Sequence, residues 1–347
     1  MVRRAIIHIG IEKTGSTTIQ QVLFSLRSKL LSDLQVLYPS IAANQSIHLG
    51  TIFREEAPPL LQLIEPEATD KGSIPRIRDK FRSSLEEDFA NPDWHTLVIS
   101  AESLCDFSPK AIAHFIEWLA EYVSDISVVA YVRHPISWTR SVVQQRLKAG
   151  ETLDQLYKNM PHPNWQRRFT TWLGSVGLER FRLVSFENAL DSDGILASFC
   201  DAAGLPHETI LPFAPDTPTN ESMSLEAALL LDSLNRQRPL FTDGKLSPER
   251  YWRGTDTIKL VPGNKFYLGA KHAERARINN RPEVEWLNDT FSTDLFLDIF
   301  EDTLFEESTF SYTMPQETVD TLAIMLSNLG NQTLKSERLG GMGDRND

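Results

Sequence analysis

The chain has 347 residues, with 47 Asp and Glu against 35 Lys and Arg, a formal net charge of −12, and two cysteines. That length can bury a full α/β core, and the acidic balance argues against nucleic acid or a highly sulfated polyanion as general partner. No apolar run approaches the ~20 residues of a membrane-spanning helix, and Cys105 and Cys200, far apart and without metal-ligand spacing, make neither a disulfide framework nor a zinc site, so a soluble cytoplasmic protein is expected.

Ala5 to Ile9 is an apolar run of the kind a buried parallel strand needs. Met1-Val2-Arg3-Arg4 ahead of it is basic, but the run breaks at Gly10, Glu12 and Lys13, which marks a first strand and not a targeting segment. The loop that follows nearly has the Walker spacing: Gly10 and Gly15 are correctly separated and Thr17 fills the Ser/Thr place, but Ser16 stands where the lysine belongs. The lysine sits inside the loop, at Lys13, and would approach a bound anion from another side. Backbone N–H groups, the hydroxyls of Ser16, Thr17 and Thr18, and the positive end of the next helix converge on one anionic site. Lys13, Thr14, Gly15, Ser16, Thr17 and Thr18 are thus the candidate phosphate-binding residues. Thr17 to about Leu34 reads as an amphipathic helix with Ile19, Val22, Leu23, Leu26 and Leu30 on one face.

Residues 38–75 contain five prolines without a sustained period and read as an irregular, substrate-facing excursion that carries His48. A helix is expected over 77–89, and a second strand over Thr96–Ser100 that ends at Ala101-Glu102-Ser103. A helix through Ile112, Phe115, Ile116 and Leu119 leads to a third strand at Val128–Val132. Arg133 ends that strand, Pro135 suits a helix start, and the helix carries Ser141. Asn164–Leu173 should be helical and Phe181–Glu187 a fourth strand, with later helices at about 223–235, capped by Ser222 or Ser224, and 316–329. Eleven Lys and Arg residues between Arg236 and Arg281 form either a solvated basic face or a ligand-facing segment. Residues 1–335 read as one domain, and 336–347, with three glycines, as a flexible tail.

The displaced lysine resembles the 5′-phosphosulfate loop of sulfotransferases that use 3′-phosphoadenosine 5′-phosphosulfate (PAPS), and HIGIEKTGSTTIQ is similar to the form found in bacterial carbohydrate and small-molecule members. Val128–Val143 resembles the family's 3′-phosphate site, where a strand-end Arg, here Arg133, and a Ser eight positions later, here Ser141, grip the nucleotide. An Arg fork suits a phosphate dianion. The segments RLVSFENAL and TNESMSLEAALLLDSLNR carry a weaker likeness, so the resemblance covers roughly residues 5 to 235. It implies a three-layer α/β fold of the P-loop-containing nucleotide hydrolase type, a parallel sheet flanked by helices. It also implies transfer of the sulfuryl group of PAPS to a hydroxyl or amine of a glycan or small-molecule acceptor, without a required metal. The basic segment 236–281 occupies the part of the chain where such enzymes close a loop over the 3′-phosphate, but lacks that loop's Arg-Lys-Gly pattern.

Sulfuryl transfer needs help with charge on the departing phosphate and with the acceptor's proton. Lys13 suits the first task. Family members use His or Glu for the second. Glu102 is the first candidate, because it ends the strand preceding the one that carries Arg133, where open sheets bind ligands. His48 is the second, after a Tyr-Pro element similar to one in related bacterial chains. The alternative readings are a helix cap for Glu102 and an ordinary surface or hydrogen-bonded side chain for His48. His134 belongs to the turn. Trp165, Trp172, Tyr251, Trp252 and Tyr267 are candidate surfaces for stacking an acceptor, or core residues. Two other functions stay open. One is a P-loop kinase or NTPase, against which stand the missing lysine after Gly15 and the missing Walker-B aspartate. The other is a non-catalytic module that binds PAPS or its product, 3′-phosphoadenosine 5′-phosphate.

Overall fold

The structure, a computed structural model, describes residues 3–213, 222–242, 245–247, 250, 254–301, 316–317 and 319–328. In chain order they form β1 (Arg4–His8), α1 (Ser16–Leu34), β2 (Val36–Leu37), α2 (Ser46–Phe53), α3 (Ile74–Phe89), β3 (Thr96–Ser100), α4 (Pro109–Leu119), β4 (Asp125–Val132), α5 (Pro135–Lys148), α6 (Leu153–Lys158), α7 (Trp165–Val176), β5 (Phe181–Ser185), α8 (Phe186–Asp191), α9 (Ile195–Ala203), α10 (His207–Ile210), α11 (Leu225–Gln237), β6 (Phe241–Thr242), β7 (Lys245–Leu246), α12 (Gly254–Ile258) and α13 (Ala270–Phe291). These residues fall into two compact units. One lies within Met1–His134, Asn164–Thr219 and Pro282–Phe296, and the other within Pro135–Pro163, Asn220–Arg281 and Leu297–Asp347.

The first unit is α/β. Its five strands are all parallel, in the order β2-β3-β1-β4-β5. β1 has neighbours on both sides, which is why Ala5, Ile6 and Ile7 are apolar without alternation and essentially inaccessible. Burying each isoleucine contributes about 2 kcal/mol. One face of the sheet is covered by α1 and α9: Ile19, Leu23, Leu26 and Leu30 meet Ile6, Val98, Val129 and Phe199 in one apolar cluster. The strand order reverses direction around β1, the position at which open α/β sheets take ligands at the carboxyl ends of their strands.

Several boundaries differ from the sequence reading. The fourth strand ends at Ser185 and not Glu187, because the Ser185 hydroxyl accepts the Asn188 N–H at 3.3 Å and starts α8. The proline-rich stretch 38–75 contains α2 and three short 3-10 turns. α4 is capped by Ser108, which accepts the Ala111 N–H at 3.2 Å, so Glu102 is not its cap.

The second unit packs α5, α6, α11, α12, the amino-terminal part of α13 and helical residues 319–328 around an apolar cluster that includes Val143, Leu156, Leu231, Ile258 and Ala276. Ser224 is the α11 cap, accepting the Ala227 N–H at 3.0 Å. Asn235 on α11 donates to the carbonyls of Leu147 and Glu151 at 2.8 and 2.6 Å, closing the end of α5. The boundary between the units falls inside α13 at Pro282, which lacks the N–H for a bond one turn back. The expected tail, residues 336–347, lies outside the described residues.

Candidate functional site

The sheet register builds the site in the first unit. His8 pairs with Ser100 of β3 and Val129 of β4, so the loop after β1 and the 3-10 turn Glu102–Asp106 leave the sheet side by side. β4 continues to Val132 and delivers Arg133 to the same edge. Arg133 Nη1 donates to the Lys13 carbonyl at 2.9 Å, and its guanidinium carbon lies 4.7 Å from the Phe186 ring centre.

The loop turns through two left-handed residues, Lys13 at φ 68° and Gly15 at φ 85°. A side chain at Gly15 would be strained there, and its Cβ would stand 3.1 Å from Ile195. Lys13 carries that strain, about 1–2 kcal/mol. It is held by the Arg133 bond to its carbonyl and by Thr14, whose buried hydroxyl donates to the Ile11 carbonyl at 2.6 Å. Thr14 therefore braces the loop with its hydroxyl. A Cβ at Gly10 would lie 2.4 Å from Ser16 Oγ, so a side chain there would push the Ser16 hydroxyl from its place. α1 begins with Gly15, which has no side chain to cap it, and with no acid in its first turn. Its positive end is unneutralised by its own residues. Thr17 is exposed and Thr18 half-buried at that end.

Lys13 and Glu102 belong to one electrostatic cluster. Burial lowers the Lys13 pKa, Glu102 and Glu12 pull it back up, and Arg133 pushes it further down. Glu102 is shifted the other way: burial raises its carboxyl pKa, the Glu12 charge adds to the rise, and Lys13 and Ser16 oppose it. The Ser16 hydroxyl is buried and faces Glu102, yet makes no hydrogen bond of ordinary geometry.

Other groups at this edge were not singled out in the sequence. Arg168 of α7, 8% exposed, forks onto Asp106 through Nε and Nη2, both at 3.1 Å, and Nη1 lies 3.4 Å from Glu12 Oε2. Arg167 adds a 2.7 Å bond to Asp106. Burial pushes Asp106 up, and the two arginines outweigh it and hold the carboxyl below its usual range. His8 is fully buried at the end of β1, its pKa lowered to about 4 by burial, so its ring is neutral at physiological pH. Its Nδ1 lies 2.8 Å from Ser100 Oγ, and its Nε2 is buried without a hydrogen-bond partner.

His48 has different surroundings. It sits on α2, its ring 4.6 Å from Phe81, with Glu65 and Lys80 as its charged neighbours, and burial lowers its pKa to about 4. The charged neighbours of Lys13 are instead Glu102, Arg133 and Glu12. The His134 N–H donates to the Glu187 carboxylate at 3.0 and 3.1 Å, a turn contact. Ser141 is half-buried on α5, in the second unit.

Much of the basic segment is occupied within the second unit. Arg250, 3% exposed, donates to the Arg238 carbonyl at 3.1 Å and to Thr255 at 3.2 Å. Arg236 pairs with Asp232, Lys259 with Asp256, and Arg277 with Glu274. Lys265 and Arg140 flank the Tyr267 ring, each 5.7 Å from its centre. Trp165 and Trp172 are completely buried, and Trp172 donates to the Leu104 carbonyl at 3.1 Å, which makes them core and not an acceptor platform. Arg253, Tyr251 and Trp252 lie outside the described residues. Among the described residues no cluster of His, Cys, Asp and Glu has the geometry to hold a metal ion.

No protein-family profile matches the chain, and no curated protein does. Among solved structures it is similar to a sulfotransferase from Alicyclobacillus acidocaldarius at 14% identity, over 69% of this chain and 94% of that one, with a TM-score of 0.34.

Proposed function

We propose that the chain is a PAPS-dependent sulfotransferase, which passes the sulfuryl group of PAPS to a hydroxyl or amine of a glycan or small-molecule acceptor. The observation that carries this reading is the placement of Lys13. Lys13 lies in the loop between a central parallel strand and an uncapped helix start, and its ammonium interacts with a carboxyl of raised pKa. The site suits an anionic donor. Gly10 and Gly15 allow the backbone to approach closely, and the α1 amino terminus supplies N–H donors without a competing acid.

In the reaction the bond between sulfur and the bridging oxygen of the donor breaks as the acceptor oxygen or nitrogen bonds to sulfur. Lys13 stabilises the negative charge that builds on the departing phosphate, with the helix end behind it. Glu102 takes the acceptor's proton. Its raised pKa makes it a stronger base than an ordinary carboxylate. Arg133 reads the 3′-phosphate and, through the Lys13 carbonyl, links that recognition to the loop. Ser141 is assigned to the same phosphate on the sequence motif alone.

Calorimetry tests the nucleotide half of the reading. The protein should bind 3′-phosphoadenosine 5′-phosphate far more tightly than ATP or AMP. Arg133→Ala should lower that affinity about thirtyfold, or about 2 kcal/mol, by removing a charge-assisted phosphate contact. Equal affinity of the unaltered protein for ATP and the bisphosphate would sink the reading.

A further inference from the structure

We propose that Arg168 is a positioning residue that clamps the Lys13 loop to the Glu102 turn and so fixes the separation of leaving-group lysine and base; this rests on the function proposed above. The geometry is specific. Asp106 is the last residue of the 3-10 turn that begins at Glu102, and Glu12 immediately precedes Lys13. One buried guanidinium reaches both, with a hydrogen-bonded fork onto Asp106 at 3.1 Å and a third nitrogen 3.4 Å from Glu12, an ion pair without hydrogen-bond geometry. A lysine in its place would supply the charge without the fork.

The mount is rigid. Arg168 follows Arg167 on α7, which also holds Asp106, and Trp172 on the same helix donates to the carbonyl of Leu104 in the middle of the turn. The turn is thus fastened to α7 by side chains one helical turn apart, and the loop reaches the same helix through Glu12.

The clamp also sets the charge around the base. Glu102 faces Glu12, Lys13 and Ser16, while Arg168 faces Glu12, Asp106 and Cys105. Burial pushes the Cys105 thiol well above its usual value, so it contributes no charge at neutral pH. Glu12 raises the Glu102 pKa, and Arg168 is a cation paired with Glu12. Removing the guanidinium takes a cation away from Glu12 and moves Glu102 upward. Removing the Glu12 charge moves it downward.

Three variants separate geometry from charge. Arg168→Met removes both, Arg168→Lys keeps the charge and loses the fork, and Glu12→Gln removes the carboxylate charge. Two readouts are needed: the Glu102 carboxyl titration by carbon-13 NMR, assigned with Glu102→Gln, and the rate constant and KM for sulfuryl transfer. The NMR titration requires no turnover, so it tests the charge coupling through Glu12 even if the proposed reaction is wrong, and failure to bind the bisphosphate would then count against the reaction alone. The Glu102 midpoint should rise in Arg168→Met, fall in Glu12→Gln and stay near its original place in Arg168→Lys. Both Arg168 variants should lose about a hundredfold in kcat with little change in KM for PAPS, the scale of a small misplacement of reacting groups. Arg168→Lys retains a cation for Asp106 and Glu12, so it is the variant to rely on if Arg168→Met does not fold. A folded Arg168→Lys protein with undiminished kcat, or a Glu102 midpoint that does not fall in Glu12→Gln, would overturn the inference.

Discussion

Lys13→Ala is expected to lower the transfer rate about a hundredfold or more, equivalent to about 2.7 kcal/mol of transition-state stabilisation, while weakening PAPS binding much less. The ammonium meets a charge that grows only as the donor bond breaks, so its loss belongs mainly to the rate constant. The backbone argues the same way. Alanine at this left-handed position keeps the carbonyl that accepts the Arg133 bond, and Thr14 still braces the loop. Single-turnover rates at saturating PAPS, set beside equilibrium binding, make the distinction. Equal losses in rate and affinity would assign Lys13 to ground-state binding alone.

Glu102→Gln should reduce transfer as sharply, by about a hundredfold or more, with nucleotide affinity nearly unchanged, and His48→Ala should have the smaller effect. The pH dependence follows from the raised carboxyl pKa: the active form is the carboxylate, so the unaltered enzyme should gain activity as pH rises through that pKa, and the glutamine variant should lose this limb. Stability has the opposite sign. A carboxyl whose folded pKa exceeds its unfolded value favours the fold below the unfolded pKa and loses that contribution as pH rises through the folded one. Glu102→Gln should therefore gain thermal stability relative to the unaltered protein as pH rises over that interval, as expected of a group kept for function. Thermal melts across that range, alongside pH–rate profiles of both variants, provide the check. Near-normal transfer by Glu102→Gln with collapse in His48→Ala would transfer the base assignment to His48.

The central strands were legible because β1, β3 and the Val128–Val132 part of β4 are buried on both faces and so read as short, mainly apolar runs between polar turns. The turn after β1 was legible through its glycines, and the cap of α11 as Ser222 or Ser224, of which Ser224 fills it. β2 has only Val36 and Leu37 in the ladder, too few residues to show a period. α13 was missed because its inward positions include Asn280 and Arg277 among Ala273, Ala276, Val284 and Leu287, and Pro282 interrupts the helical pattern. α2 lay concealed among prolines, and with it the surroundings of His48. Glu102 was placed by sequence at the end of a strand, and the register sets the 3-10 turn it begins beside the loop after β1. The Arg168 cluster could not be read in sequence, since Glu12, Asp106 and Arg168 come from three distant segments and each alone is an ordinary charge. His8 was visible in the motif, but its burial depends on Tyr131 and Phe199 from other elements packing against its ring.

The most direct test of the account is transfer from PAPS carrying radioactive sulfur into an extract of small molecules and glycans, run in parallel with ATP carrying labelled γ-phosphate. The account predicts sulfur label in a discrete acceptor product with the unaltered protein, near-background label with Lys13→Ala, and no phosphoryl transfer from ATP. Transfer or hydrolysis of the γ-phosphate without any movement of sulfur label would contradict it.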